Sequence, residues 1–305
     1  MSVFFDRLRR HRARAVLALL ACVLCGAAQA ALPLNLPPIS DPASAEHHPG
    51  KVIWADLVTP NLAAAETFYS GLFGWTFRDM HTVDSDYAIV LVDGRPIAGI
   101  LQKAIPAGDR RQPTWLTFIA VRDVDAARRI ALSRGAKSVY EPRTYPSRGR
   151  QVVLSDPQGA VFAMLASTSG DPPDYLATPG EWIWSSVFAR DPNQDAGFYK
   201  AVFGYDVFDL PSDDGAQHVI LSSDNYARTA INTLPPGHRY PHWLNFIRVV
   251  DAAERSAKAV ALGGRVVVEP FVDRHGGKIA VIADPMGAPI GLMEWSDTDS
   301  KVEPK

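Results

Sequence analysis

Phe68-Tyr69-Ser70-Gly71-Leu72-Phe73-Gly74-Trp75 returns later in the same chain as Phe198-Tyr199-Lys200-Ala201-Val202-Phe203-Gly204-Tyr205. The likeness spreads outward from this stretch. Val52-Ile53-Trp54 precedes the first occurrence, and Trp182-Ile183-Trp184 precedes the second. A further block repeats without a gap, Pro113 to Ser167 onto Pro241 to Trp295. Within it Trp115-Leu116 meets Trp243-Leu244, Phe118-Ile119 meets Phe246-Ile247, and Glu141-Pro142 meets Glu269-Pro270. Asp156-Pro157-x-Gly159-Ala160 meets Asp284-Pro285-x-Gly287-Ala288. A gapless match of this length means duplication, and a repeat of this size means two copies of one domain.

Each copy has two halves with one grammar. The first half opens on an apolar strand, Val52 to Val58. A helix follows, capped by Asn61, with Leu62, Ala65, Phe68, Tyr69 and Leu72 on one face. Gly74 stands where a left-handed residue ends a helix. In the second copy Asp191 is the cap, Pro192 takes the first helical position, and Gly204 is the stop. Apolar strands follow at Tyr87 to Val92 and Ile97 to Leu101. The second half repeats the order: a strand from Trp115 to Val121, a helix capped by Asp123 (Asp251 in the other copy), and a hairpin turning at Asp156-Pro157-Gln158-Gly159. Pro second and Gly fourth suit a type I turn. Strand, helix, then about three strands, four times over, predicts an α+β fold. Each half supplies part of an antiparallel sheet, and its helix covers the outer face.

The flanks differ in kind. Arg7, Arg9, Arg10, Arg12 and Arg14 precede an apolar run from Ala15 to Ala28, and Ala28-Gln29-Ala30 is a small-x-small cleavage pattern. That order is expected of a secretory signal peptide, so the mature protein is expected to be periplasmic or secreted. The apolar run is shorter than the roughly 20 residues a bilayer span needs, so no transmembrane segment is expected in the mature chain. Leu19-Leu20-Ala21-Cys22 offers a minor alternative, a lipoprotein anchored through Cys22. Residues 31–50, with Pro33, Pro37, Pro38, Pro42 and Pro49, read as an extended leader. His47 and His48 within it are expected to be unstructured rather than ligating. Residues 51–167 form the first domain, 168–180 a Pro- and Gly-containing linker, 181–296 the second domain, and 297–305 a charged tail.

Of 305 residues, 47% are apolar and 21% charged, which supports a packed core. Both cysteines, Cys22 and Cys25, precede Ala30, so cleavage there excludes disulfides and thiolate chemistry. Losing residues 1–30 removes five Arg and one Asp and takes the formal charge from −2 to −6. The mature chain has no Lys/Arg cluster, so it lacks the electrostatic footprint of a nucleic-acid binder.

The helix end Phe68-Tyr69-x-x-Leu72-Phe73-Gly74-Trp75 and the hairpin Asp156-Pro157-x-Gly159 resemble the vicinal-oxygen-chelate superfamily. That group includes glyoxalases, bleomycin-resistance proteins and extradiol dioxygenases. The resemblance covers about 51–167 and 181–296. It implies two βαβββ modules per domain, forming one open, U-shaped mixed sheet around a cleft. It implies that active members hold a divalent metal there with His, Gln and Glu. It also implies that the tandem copies form inside one chain the pair that single-domain relatives build from two, hence a monomer with an internal pseudo-dimer.

The positions that should carry those ligands depart from the pattern. Val52, Ile53 and Trp54, and Trp182, Ile183 and Trp184, stand where the first His is expected. Thr114, Trp115 and Leu116, and His242, Trp243 and Leu244, stand where the second is. Seven residues after the turn Asp, where a Glu is expected, come Ala163 and Gly291. No metal cofactor is therefore expected; if a divalent metal binds, His218, His242 and Glu294 are the candidate donors. The first copy offers Ala88, Thr114 and Ala166 in their places.

Trp54, Asp56, Trp115, Phe118, Trp184, Trp243 and Phe246 are the candidate ligand-binding residues. Aromatic side chains suit a pocket wall. Alternation puts Asp56 on the face of Trp54, and its partner in the repeat is Ser186. Glu141 and Glu269 beside their prolines suggest a shared bend. Tyr145, Arg148 and Arg150, and Arg274, His275 and Lys278, are expected in solvated loops before the last hairpins. Three functions remain open on these residues: metal-independent small-molecule binding, a lyase, isomerase or dioxygenase with a non-standard site in the second copy, or a structural and interaction module.

Overall fold

The computed structural model describes residues 35–81, 86–104, 112–210, 217–273 and 276–295. The signal-like segment, Arg274, His275 and the tail lie outside the described residues. The first copy contains β1 (Val52–Thr59), α1 (Leu62–Phe73), β2 (Thr76–His81), β3 (Asp86–Val92) and β4 (Arg95–Gln102). Its second module contains β5 (Thr114–Ala120), α2 (Val124–Ser133), β6 (Lys137–Tyr145), β7 (Gly149–Ser155) and β8 (Val161–Ser167). The second copy repeats the order with β9 (Trp182–Ala189), α3 (Pro192–Phe203), β10 (Asp206–Leu210), β11 (His218–Ser223) and β12 (Tyr226–Thr233). It closes with β13 (His242–Val249), α4 (Ala252–Ala261), β14 (Arg265–Val272), β15 (Lys278–Ala283) and β16 (Pro289–Glu294).

The helices start and stop where short polar and glycine residues dictate. Asn61, Asp123, Asp191 and Asp251 each accept a first-turn backbone N–H. Gly74 and Gly204 end their helices at φ 75° and 74°, a left-handed conformation that costs glycine nothing.

Each copy forms one eight-stranded sheet, ordered β2-β3-β4-β1-β5-β8-β7-β6 and β10-β11-β12-β9-β13-β16-β15-β14. The sheets are mixed. β1 runs antiparallel to β5 but parallel to β4, and β5 runs parallel to β8. An all-antiparallel reading fails because the helix carries the chain to the sheet edge at β2, and two antiparallel steps then bring β4 back beside β1 in the same direction. The Glu-Pro repeat does mark a bend. Register shifts fall between Tyr140 and Arg143 and between Val268 and Phe271, on edge strands where proline loses no ladder bond.

The helix-bearing faces of the two copies pack together. α1 meets α4 and α2 meets α3. One core joins Leu57, Phe68, Leu72 and Ile100 to Ile247, Ala259, Ile282 and Leu292; the other joins Leu154, Phe162 and Met164 to Val187, Phe198 and Leu221. Each buried aliphatic side chain contributes about 1.5–3 kcal/mol relative to exposure. The concave faces of both sheets therefore point away from this shared core.

Candidate functional site

Strand alternation decides which candidates reach a concave face. In the first copy Trp54 and Asp56 on β1, Tyr87 and Ile89 on β3, and Phe118 on β5 share it. Asp56 Oδ1 accepts from Trp54 Nε1 at 2.7 Å and from Tyr87 Oη at 2.8 Å. Tyr87 Oη in turn accepts from Arg148 Nη2 at 2.9 Å. The Arg148 guanidinium lies 4.6 Å from the Trp54 ring centre, a cation–π distance. Gly99 on β4 makes room for this network, because a Cβ there would collide with Tyr87 Oη and Asp56 Oδ1.

Arg148 was expected in a solvated loop. It is instead fully buried. The leader buries it: residues 35–40 lie over the cleft, with Leu36 and Ile39 part of the same buried cluster as Ile89, Phe118 and Leu165. Pro37 O accepts from Arg148 Nε at 2.6 Å. The leader is thus docked, and His48 in it bonds Glu46 and lies near Asp174. Tyr145 packs partly buried at the cleft's edge, while Arg150 pairs with Asp125 at the surface.

The second copy's concave face carries a different set. Strand register shows the correspondence: Asp56 opposes Gly99 and Tyr87 opposes Leu101, while Ser186 opposes Ala230 and His218 opposes Asn232. The counterpart of His218 is therefore Tyr87, not Ala88. Gly276 stands in place of Arg148 and Ser186 in place of Asp56, so the charged pair of the first cleft is gone. Trp184 Nε1 donates to Ser186 Oγ at 3.1 Å. His218 Nδ1 donates to Asn232 Oδ1 at 2.7 Å. At the strand ends His242 stacks on Phe188 with 5.3 Å between centroids, and its Nδ1 donates to Tyr240 O. Burial lowers the His242 pKa below the ordinary imidazole value, so Nε2 is an unprotonated acceptor at neutral pH. Trp184, Phe188, His218, Asn232 and His242 are all partly exposed, whereas Trp54, Tyr87 and Phe118 are buried beneath the leader.

Two candidates belong elsewhere. Trp115 and Trp243 face the shared core, not the clefts. Trp115 Nε1 donates to Tyr69 Oη and Trp243 Nε1 to Tyr199 Oη, both at 3.1 Å. Phe118 and Trp115 sit an odd number of positions apart on β5, so they cannot share a face. Trp54, Asp56 and Phe118 remain in the first cleft, and Trp184 and Phe246 in the second.

Residues 51–164 match the model of the Glyoxalase/Bleomycin resistance protein/Dioxygenase superfamily, and residues 185–293 match that of a glyoxalase-like domain. The chain belongs to the Glyoxalase/Bleomycin resistance protein/Dioxygenase superfamily. Among its relatives, CFP32 of Mycobacterium tuberculosis is 29% identical over 256 residues, 83% of this chain and 98% of that protein. The anthracycline biosynthesis protein DauV of a Streptomyces species is 30% identical over 268 residues, 81% of this chain and 94% of that protein. The Mn(II)-bound glyoxalase of Novosphingobium aromaticivorans shares the fold with a TM-score of 0.56 at 14% identity, covering 81% of this chain and 82% of that one.

The metal that active members of this superfamily hold does not fit the residues present here. Its Glu position is Ala163 or Gly291, and the rings of Phe118 and Phe246 stand opposite these residues in register. A Cβ on Gly291 would fall within the Phe246 ring. The fallback set fails as well. His242 begins β13, while Glu294 pairs with Val249 at its far end. Glu294 is occupied in accepting from the backbone N–H groups of Ala252 and Lys278. His218, His242 and Glu294 therefore do not converge, and among the described residues no three His, Cys, Asp or Glu side chains do. Three or four donors in fixed geometry are what a divalent ion requires.

Proposed function

We propose that this chain is an exported, monomeric binding protein that holds a small planar or apolar molecule in its second cleft without a metal. The observation that carries this reading is the contrast between the two concave faces. The first is filled, while the second leaves Trp184, Phe188 and His242 accessible around two fixed polar pairs, Trp184–Ser186 and His218–Asn232. An apolar wall with a few oriented polar groups is the chemistry of a small-molecule site. The name of DauV ties that relative to anthracycline biosynthesis, and a polycyclic aromatic ligand suits stacked rings.

Native mass spectrometry of protein purified without chelators tests the reading. The expected result is an apo mass or a bound organic molecule. A mass excess of one divalent metal, lost in His242→Ala, would overturn it in favour of a metal-dependent enzyme in the second copy. The same spectrum of secreted or periplasmic material should begin after Ala30 and show one chain.

A further inference from the structure

The first cleft is built around a cation with an unused donor. Arg148 is wholly buried, yet among the described residues its Nη1 has no hydrogen-bond partner. Nε donates to a neutral backbone carbonyl, Pro37 O, and Nη2 to a phenol, Tyr87 Oη. The carboxylate of Asp56 joins this network only through the Tyr87 hydroxyl. Such a guanidinium fork is under-satisfied, since it matches two carboxylate oxygens better than one carbonyl. A buried donor left unpaired is a standing cost to the folded state.

What fills the site is not part of the sheet. Residues 35–40 form no strand, and their backbone bonds outside the cleft run to Ser169 Oγ from Ile39 and Ser40. Leu36 and Ile39 supply apolar bulk, and Pro37 supplies one oxygen to Arg148. Leader and cleft therefore have the parts of a ligand and its site: an apolar body, one acceptor, and an arginine to read it. Irregular segments held by few bonds open at lower free energy than the sheet beneath them.

We propose that residues 35–40 are an intramolecular ligand of the first cleft, displaceable by an apolar molecule carrying a carboxylate that engages the Arg148 fork. The tether keeps the leader at high effective concentration, so an outside ligand binds only when it outcompetes the leader or when the leader is released. This site is independent of the second cleft, which has Gly276 where the first has Arg148.

The test uses the full mature chain carrying Leu36→Glu and Ile39→Glu, which place two carboxylates against an apolar wall and eject the leader. A fluorescein-labelled peptide of residues 35–44 is the probe, read by anisotropy, with 2-naphthoate as competitor. The expected result is peptide binding to the double variant at least about tenfold tighter than to wild type, weakened about tenfold by adding Arg148→Lys, and reversed by 2-naphthoate. Trp184→Ala should leave it unchanged, which separates this site from the second cleft. No peptide binding by a double variant with wild-type circular dichroism would overturn the proposal. So would binding indifferent to Arg148→Lys, or binding that 2-naphthoate does not displace. If the double variant fails to fold, hydrogen exchange on the wild-type chain decides. Leader amides exchanging faster than those of β3 and β5 support a displaceable segment, and exchange only with global unfolding refutes it.

Discussion

Tyr199, on the first helix of the second copy, donates its hydroxyl to Asp156, the turn carboxylate of the first copy, at 3.0 Å. Tyr69 does the same for Asp284 at 3.3 Å, so the bond is made twice. The two motifs that announce the duplication are thus partners across it: each Phe-Tyr helix holds the other copy's Asp-Pro-x-Gly turn. Asp156 Oδ1 meanwhile accepts from the N–H groups of Gln158, Gly159 and Ala160, fixing the turn.

Tyr199→Phe should therefore destabilise the whole chain and not one copy alone. It removes the donor to Asp156 and the acceptor of Trp243 Nε1, leaving two buried groups unpaired. The expected loss is about 1–3 kcal/mol in urea unfolding. Tyr69→Phe should act alike, and the two losses should add because the sites are separate. A two-step unfolding curve in wild type would contradict the joint core.

Asp195 predicts an unusual pH dependence. It is buried on α3, where neither oxygen has a well-formed hydrogen bond among the described residues and the nearby Gln158 side chain offsets the burial only in part. Burial first, and then the charge of Asp156, push its carboxyl up to about 7. The folded state thus keeps a proton that the unfolded chain releases at ordinary carboxylate pH. Stability is present below the ordinary range and falls as pH rises toward 7. Asp195→Ala, the residue the first copy carries as Ala65, should raise stability at pH 8 by on the order of 2 kcal/mol and change it little at pH 4. Equal effects at both pH values in thermal melts would show that the carboxyl is not the cause.

The duplication, the helix caps and the order of elements were legible because each rests on a local pattern written twice. Trp54 and Asp56 were legible by alternation, and the same alternation would have separated Trp115 from Phe118. Matching His218 to Ala88 missed by one residue, because the two copies differ in length ahead of β3 and β11, which hides the register that only strand pairing shows. The burial of Arg148 had no local signature. It depends on Pro37 arriving from a segment that composition marks only as extended. The Tyr–Asp bonds between copies were equally silent, since a helix motif does not say which turn it will meet.

Trp54 and Trp184 occupy the same place in the two copies and should respond oppositely to truncation. Trp54 is buried under Arg148 and the leader. Trp54→Ala removes that packing and the donor to Asp56, at an expected cost of about 3–5 kcal/mol. Trp184 is partly exposed on the second copy's concave face. Trp184→Ala should cost about 1 kcal/mol or less and abolish ligand-induced stabilisation in a thermal-shift screen of planar aromatic compounds. Undiminished stabilisation in that variant would move the ligand out of the second cleft.

Gly291 gives the most direct test of the metal. If the second copy had merely lost a carboxylate, Gly291→Glu would restore it and bring Mn²⁺ binding with it. The structure predicts otherwise. Phe246 pairs with Gly291 in register and its ring fills the space that any Cβ there would need. Forcing a side chain into that packing should destabilise the chain by about 1–3 kcal/mol. A lone new carboxylate would still lack the other donors a divalent ion needs, and calorimetry with Mn²⁺ should show no added site. Adding Phe246→Ala should relieve the strain and still leave the ion short of donors, since Trp184 and Leu244 supply none. Tight Mn²⁺ binding by Gly291→Glu alone would mean that the aromatic wall yields to a metal after all.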